Sequence, residues 1–424
     1  MFLDWLGVAL GGEKERASQL VIEFVKQMGG ERQASILGTG MKTNLVNAAL
    51  VNGTMAHVLD YDDAHSMVRS HVSAPLIAAL LPVAEYKRTT GRDFITALIT
   101  GFEVSTRIGS ALGREYYEAG WHGTSIIGRP GAAAGAGMLL GLTREQISVA
   151  FGLAATQAGG LRDVFGTMAK SFHAGKAAAD GVLAALLAQT GFTAPTDVLD
   201  EGSGFSRLFS SSYSDGPITA NLDETYNILT NSFKPYAACL LVHPVIEGLL
   251  LLKRAHSFEA EEIEQIMAEV APLALSVTAN PAPENGQKAK FSLHYAAALA
   301  VLFGQAGNKL FADEIVRDPR VRRVMGKVTV KDNAGLKESE AKVGVRLGDG
   351  RVYEVRVSFP QGDPENPLTF NEIEDKFTDL VKGLLPGDRT GRIIGIVRRL
   401  EGEADMSTLA RLCCRDDESG THPA

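Results

Sequence analysis

The chain has 424 residues, of which 45% are apolar, and its formal net charge is −8 at neutral pH. At about 150 residues per domain, this length predicts two or three domains with a substantial hydrophobic core. The acidic balance excludes nucleic acid as an expected partner, because the phosphate backbone is also negative. Three cysteines are too few for a disulfide framework, so we expect a cytoplasmic protein.

Helical periodicity dominates from the N-terminus to about residue 255. Small and apolar residues between 94 and 108 recur at steps of three and four, which predicts a helix with Gly101 at a close helix crossing. The Ala- and Gly-rich segments 128–142 and 175–188 are predicted to be buried helices packed at short distance. We expect no membrane span and no signal peptide, because the apolar stretches are short or interrupted by polar residues.

The periodicity changes to two in the second part of the chain. Alternating runs at 328–330, 342–347 and 351–359 predict β-strands, and Gly348-Asp349-Gly350 between the last two predicts a hairpin turn. Thr143 and Thr369 are each followed three residues later by Gln or Glu, which is typical of a capping box that begins a helix.

These patterns predict a mainly α protein with a large all-α helical domain and a smaller α+β domain. We assign residues 1–255 plus 396–424 to the helical domain, because a helical pattern resumes at about residue 396. Residues 256–395 are assigned to the α+β domain.

The segment from residue 57 to 71 concentrates titratable groups. It contains three carboxylates and three imidazoles: Asp60, Asp62, Asp63, His57, His65 and His71. Like charges at short range destabilise one another unless a ligand or partner compensates, so we favour an acid/base loop at a domain cleft. A solvated loop between helices and a metal site are the alternatives. The segment has neither an HExxH motif nor a calcium-loop pattern, and we predict no metal.

Three further segments carry candidate polar residues, namely His122 in 121–125, Lys170 and His173 in 170–176, and Lys234 and Tyr236 in 233–236. Lys170 and His173 would share a helix face, whereas Lys234 precedes a proline and is expected on a loop. Structural histidines and solvated lysines are the alternatives. The apolar and aromatic neighbours of both lysines favour a functional role over an exposed one.

Templates for cofactor binding fail in this chain. Gly135-Ala136-Gly137 misses the dinucleotide fingerprint by one residue and follows no predicted strand. Gly175-Lys176 is followed by Ala177, so the hydroxyl of a phosphate-binding loop is missing. The Gly-x-Ser-x-Gly elbow of serine hydrolases is also absent. We therefore do not expect hydride or phosphoryl transfer with a bound cofactor.

Taken in order, these segments resemble the MmgE/PrpD family, which contains 2-methylcitrate dehydratase, cis-aconitate decarboxylase and iminodisuccinate epimerase. The resemblance extends over nearly the whole chain. It rests on the ordered set of segments 52–71, the His122 loop, 170–178, 233–236 with His243-Pro244, 289–295 and 366–368.

The resemblance implies a large all-α helical domain built from both chain ends, a smaller α+β lid domain, and a homodimer. It implies an active site in the cleft without an obligatory organic cofactor. By position, it implies catalytic roles for Asp60, His71, His122, Lys170 and Lys234. As substrate-binding residues we expect His65, His173, Tyr236 and Tyr295. Relatives carry a further helix before the segment that begins at Leu3, so this chain is expected to start late.

Three positions depart from the family pattern. Ala64 stands where Thr is usual, Val72 where Pro often follows the histidine, and Cys239 where the decarboxylase branch has another histidine. Cys239 argues against a decarboxylase, and the other two argue against strict specificity for methylcitrate.

The residue types suit proton movement at a carbon next to a carboxylate. We expect Lys170 and Lys234 to neutralise the developing charge. We expect His71 or His122 to move the proton and Asp60 to orient a neighbouring imidazole. We therefore predict a cofactor-independent hydro-lyase that acts on a di- or tricarboxylate, with dehydration of 2-methylcitrate as the first choice. An epimerase of an imino- or amino-dicarboxylate and a catalytically silent binding or assembly protein are the alternatives.

Overall fold

The computed structural model describes residues 1–415 and consists mainly of α-helices. The helices are α1 (Phe2–Gly11), α2 (Arg16–Met28), α3 (Leu45–Val58), α4 (Ser73–Lys87), α5 (Gly91–Leu112), α6 (Glu115–Glu118), α7 (Gly123–Ile126), α8 (Gly128–Leu139), α9 (Arg144–Thr156), α10 (Ala169–Gln189), α11 (Gly204–Phe209), α12 (Gly216–Thr219), α13 (His243–His256), α14 (Pro272–Thr278), α15 (Gly286–Ala289), α16 (Leu293–Phe303), α17 (Asp313–Val316), α18 (Pro319–Met325), α19 (Phe370–Val381), α20 (Arg389–Val397) and α21 (Ser407–Leu412). The strands are β1 (Ala34–Ser35), β2 (Lys42–Thr43), β3 (Ile263–Val270), β4 (Val328–Asp332), β5 (Ala341–Leu347) and β6 (Val352–Val357).

The helical part packs α3, α4, α5, α8 and α10 around one core, and glycines set the distances between these helices. A Cβ on Gly101 of α5 would lie 2.7 Å from the carbonyl oxygen of Gly131 on α8, which confirms the predicted close crossing. A Cβ on Gly53 of α3 would lie 2.8 Å from the Cα of Gly175 on α10. The backbones of α3 and α10 therefore touch, and these two helices carry much of the polar cluster described below.

Both predicted capping boxes are present. The Thr143 side chain accepts a hydrogen bond from the Gln146 amide at the start of α9, and Thr369 does the same with Glu372 at the start of α19. In each case the Gln or Glu side chain accepts a hydrogen bond from the backbone amide of the threonine. These helices therefore begin where the sequence predicts.

The second part of the molecule is built on a four-stranded sheet with the order β4-β3-β5-β6. β3 pairs in parallel with β4 and antiparallel with β5, and β5 and β6 form the hairpin predicted around residues 348–350. The sequence analysis missed β3. A register shift between Ile263 and Gln265 interrupts its alternation of buried and exposed residues.

Two large hydrophobic cores organise residues 1–415, beside a small cluster that includes Leu153 of α9. The first joins the N-terminal helices to Phe377 of α19 and Leu409 of α21, and the second joins α13 and α16 to the sheet. Packing therefore differs from the predicted division at two helices, because α13 contacts β5 and β6 while α19 contacts α1. The division at residues 255 and 395 stays a prediction.

Within residues 1–415, no helix has both the length and the apolar character needed to cross a bilayer.

Candidate active site

A cavity of about 500 Å³ lies where the helical part meets the sheet-containing part. Helical-part residues in its wall include Asp60, His65, His71, His122 and Lys170, and the opposite wall includes Leu273, Phe291, Lys337 and Glu338. This volume lies within the range of small-molecule sites. The wall also combines apolar surface with a few converging polar groups, as such sites do.

Asp60 holds two lysines at the inner end of this cavity. It follows α3 with a φ of 48°, a left-handed conformation that Asp adopts more readily than most residues. Its carboxylate lies 2.6 Å from Lys234 Nζ and 3.2 Å from Lys170 Nζ. Burial alone would raise the pKa of Asp60, but the charges of Lys170 and Lys234 hold it well below its usual value. The carboxylate of Asp60 is therefore ionised at pH 7 and lies between the two lysine side chains.

The two lysines differ in what they can reach. Lys234 is fully buried, does not line the cavity, and also donates to the backbone oxygen of Asp60 at 2.9 Å. Lys170 lines the cavity, and its Nζ makes no hydrogen bond within residues 1–415 beyond its ion pair with Asp60. Lys170 therefore faces the cavity, whereas Lys234 contacts Asp60 behind it. The charge neutralisation predicted for both lysines stays a prediction, which this geometry favours for Lys170 alone.

His71 presents a defined ring nitrogen. Its Nδ1 lies 3.0 Å from Asp62 Oδ2 and 2.9 Å from the backbone oxygen of Asp63. Both are acceptors, so Nδ1 carries the proton and Nε2 is left with a lone pair when the ring is neutral. Burial lowers the pKa of His71, with the attraction of Asp62 opposing it. The neutral ring that can accept a proton is therefore the dominant form at pH 7.

Asp62 also accepts a hydrogen bond from a second histidine. His57 Nδ1 lies 2.8 Å from the same Asp62 oxygen, and the rings of His57 and His71 meet edge to face at 4.5 Å. Burial lowers the pKa of His57 to about 4. Burial alone would raise the pKa of Asp62, but His57 and His71 hold it well below its usual value. The carboxylate that hydrogen-bonds the imidazoles is thus Asp62 and not, as was predicted from the sequence, Asp60, and no role was predicted for His57 or Asp62.

His122 and His173 form a second imidazole pair. Their Nδ1 atoms lie 3.0 Å apart, so one ring donates and the other accepts. His122 lines the cavity, and burial together with the neighbouring His57 and Lys170 lowers its pKa well below the usual value. His173 is held by α10, one turn after Lys170 as predicted. It contacts His122 and does not itself line the cavity.

Three predicted substrate-binding residues have their polar atoms engaged elsewhere. His65 lines the cavity, but its Nε2 lies 3.1 Å from both the Asn227 oxygen and the Thr230 hydroxyl. Tyr236 donates to Glu247 at 2.7 Å, outside the cavity wall. Tyr295 is fully buried in the second core and donates to the Leu310 backbone oxygen. Tyr236 and Tyr295 therefore do not line this cavity, and their contact with substrate stays a prediction.

One group of side chains has metal-ligating atoms close together within residues 1–415. Atoms of His57, Asp62 and His71 lie within 4.8 Å of one another. The two hydrogen bonds from the rings to Asp62 account for these atoms, so we assign no ligand role to them. The predicted absence of a metal stays a prediction.

Several residues in the cavity wall come from distant segments and were not predicted from the sequence. The ring centres of Phe165 and Phe291 lie 5.6 and 5.5 Å from Lys170 Nζ, so two aromatic rings pack against the ammonium. Arg69 contacts Glu338, which is 269 residues further along the chain. A charged residue in a polar loop is usually solvated, so no local signal marks such a pair.

Two family models and several known proteins match most of this chain. The family models for the MmgE/PrpD N-terminal domain and the MmgE/PrpD C-terminal domain match residues 1–216 and 236–402. A cis-aconitate decarboxylase-like protein of Aspergillus oryzae is 28% identical, over 97% of this chain and 91% of its own length. The cis-aconitate decarboxylase of Mus musculus is 27% identical, over 97% and 87%. The 2-methylcitrate dehydratase of Cupriavidus necator is 26% identical, over 78% and 73%. The chain therefore belongs to the MmgE/PrpD family.

Proposed function

We propose that this protein is a lyase that removes a proton next to a carboxylate of a di- or tricarboxylic acid and expels a hydroxyl group. The observation that carries the proposal is the convergence of Lys170, anchored by ionised Asp60, with the neutral base His71 in one cavity wall. The first choice of substrate is 2-methylcitrate, by similarity to the dehydratase relative. No bound organic cofactor is needed for this step.

The proton transfer follows from the tautomer of His71. Its Nε2 accepts the proton from the carbon, while Asp62 stabilises the imidazolium that forms because it already accepts from Nδ1. The electrons of the broken C–H bond move toward the neighbouring carboxylate, whose growing charge Lys170 neutralises. A base positioned in this way contributes about 10²–10⁴-fold to the rate.

Loss of hydroxide requires a proton donor. When His173 donates to His122 Nδ1, His122 carries its own proton on Nε2 and can give it to the departing hydroxyl group. The imidazolate that this leaves on His122 is stabilised by the hydrogen bond from His173, and it regains a proton when His71 releases the one it took from the carbon. The C–O bond then breaks as the C=C bond forms, and water leaves. We therefore assign His71 as base and His122 as acid, with His173 and Lys234 as positioning residues.

Decarboxylation of cis-aconitate is the second candidate. It is favoured by the decarboxylase relatives, which align over 97% of this chain. In that reaction the C–C bond to a carboxylate breaks, CO₂ leaves, and a histidine protonates the carbon that keeps the electrons. Cys239 lines the cavity, and burial raises the pKa of its thiol to about 11, so it is protonated at pH 7. The cavity therefore offers a thiol where a decarboxylase-like pattern has an imidazole.

Proton NMR and CO₂ release distinguish the candidates when purified protein is incubated separately with 2-methylcitrate and cis-aconitate. Loss of water from 2-methylcitrate without CO₂ supports the dehydratase, and CO₂ from cis-aconitate supports the decarboxylase. His71→Gln should abolish most of either activity. His65→Gln is the matched control, because His65 lies in the same wall with its Nε2 bonded to protein. Inactivity toward both acids contradicts the proposal.

We also propose a homodimer of two-domain subunits acting in the cytoplasm, by similarity to the family. Light scattering of the purified protein should give twice the chain mass of 45.2 kDa.

A further inference from the structure

The proposed chemistry leaves one buried cation in the cavity wall unused. The Arg69 side chain is 10% exposed, and its Nη2 donates to Glu338 Oε1 at 2.6 Å. Glu338 comes from the segment between β4 and β5, so this contact joins the sheet-containing part to the helical part. Both side chains line the cavity that also contains Lys170 and His71. The cavity wall therefore carries Arg69 in addition to Lys170, on a separate chain segment.

The protein holds Arg69 in a defined position. Residues 65 and 70 exchange backbone hydrogen bonds, at 2.8 and 3.4 Å, and close the loop that carries Arg69. Within it, Arg69 has a φ of 42°, a left-handed conformation that is uncommon for a residue with a Cβ. Its guanidinium lies 5.2 Å from the centre of the Tyr117 ring. Strained residues that the surroundings hold in place cluster at ligand-binding sites.

Glu338 is shared between two arginines. Its Oε1 is also 3.7 Å from Arg114 Nη1, and Arg114 lines the cavity too. A guanidinium matches a carboxylate because its planar N–H groups can bind both oxygens. A protein carboxylate on Arg69 therefore marks a position where a carboxylate of a ligand would be bound.

We propose that Arg69 binds the third carboxylate of the substrate, the one beyond the two on the reacting carbons, and that this carboxylate displaces Glu338 from the guanidinium. The proposal deepens the proposed function and rests on it. Lys170 takes the carboxylate next to the reacting carbon, and Arg69 takes one further along the molecule. The protein should therefore prefer acids that carry a carboxylate beyond the two attached to the reacting carbons.

Tricarballylate and methylsuccinate test this assignment as binding probes. Methylsuccinate is tricarballylate with one terminal carboxylate replaced by hydrogen, and neither acid has a hydroxyl group to lose. Calorimetric titration of the full chain should show tighter binding of tricarballylate. Arg69→Gln should lower the affinity for tricarballylate by about 10- to 100-fold, as expected for the loss of a hydrogen bond between charged groups. It should lower the affinity for methylsuccinate by less than about 3-fold.

Arg162→Gln is the matched control, because the Arg162 guanidinium lies 4.3 Å from the same Tyr117 ring but does not line the cavity. It should change neither affinity by more than about 3-fold. Glu338→Gln should leave tricarballylate affinity unchanged or improve it by up to about 10-fold, since it removes an internal competitor. Unchanged methylsuccinate affinity in Arg69→Gln shows that the rest of the site is folded.

Three results would overturn the assignment. The first is an equal loss of affinity for both acids in Arg69→Gln, and the second is a loss of tricarballylate affinity in Glu338→Gln as large as in Arg69→Gln. The third is equal affinity of the unmodified protein for the two acids. Because the probes cannot be dehydrated, these results are independent of whether the protein turns over 2-methylcitrate. If Arg69→Gln does not fold, Arg69→Lys replaces it. This variant keeps the charge but loses the planar fork, and we expect a smaller loss of tricarballylate alone.

Discussion

Replacing Lys234 by Met tests the buried ion cluster that supports the site. Lys234 Nζ lies 2.6 Å from Asp60, and its side chain has no exposure to solvent. With an effective dielectric constant of about 20, unit charges at that distance attract by about 6 kcal/mol, but burying each ion costs several kcal/mol. Removing one partner of such a pair leaves the other buried with less compensation. We expect Lys234→Met to lower the free energy of unfolding by about 3–5 kcal/mol.

Urea unfolding at pH 7 measures this loss. Lys309→Met is the matched control, because Lys309 pairs with Asp379 at 2.9 Å while their side chains are 76% and 67% exposed. Removing an exposed ion pair of this kind should lower the free energy of unfolding by less than about 1 kcal/mol. The double variant Asp60→Asn/Lys234→Met should be destabilised by less than the sum of the single variants, because it also removes the uncompensated carboxylate.

The pH dependence of this difference has a definite sign. The neighbouring lysines lower the pKa of Asp60 in the folded protein, so the stability that the cluster provides is present above the unfolded carboxyl pKa. That stability is lost as pH falls through the folded value. The gap between the unmodified protein and Lys234→Met should therefore persist from about pH 5 to 8 and shrink below about pH 4. A loss below about 1 kcal/mol at pH 7 would refute the assignment of a buried ion cluster.

Three further predictions concern catalysis and packing. Because burial lowers the pKa of His71, the acid limb of kcat/KM should be centred below the usual imidazole value of about 6.5, and a limb centred above that value would contradict this. Gly175→Ala should lower the free energy of unfolding by about 1–3 kcal/mol and with it the melting temperature, since a Cβ there would meet the Leu50 oxygen on α3. An unchanged melting temperature would disprove the close contact. Thr143→Ala removes a capping box and should lower the free energy of unfolding, measured in urea, by about 0.5–2 kcal/mol. An unchanged free energy of unfolding would show that the cap is not needed.

Features that depend on neighbouring residues could be predicted from the sequence. The caps at Thr143 and Thr369 and the hairpin at 348–350 each rest on hydrogen bonds or turn preferences within a few residues. The close crossing at Gly101 was also predictable, because a small residue on an otherwise apolar helix face has few other uses. Packing between distant segments was not predictable. The amphipathic pattern of α19 says that it packs on something but not that its partner is α1.

The candidate site also combines residues that the sequence indicates with contacts that only the fold reveals. Residue type and family resemblance brought Asp60, His71, His122 and Lys170 to attention, and the fold places all four in one cavity wall. The sequence could not say that Lys234 faces Asp60 instead of the cavity, since that depends on two loops meeting. The Tyr295 hydroxyl donates to a backbone oxygen 15 residues away, a partner that no pattern of side chains reveals.

A crystal structure with tricarballylate tests the central claim most directly. The account predicts one carboxylate within hydrogen-bonding distance of Lys170 Nζ and the adjacent carbon facing His71 Nε2, with the acid inside the cavity of about 500 Å³. An acid bound outside this cavity, or inside it without contact to Lys170, would contradict the account.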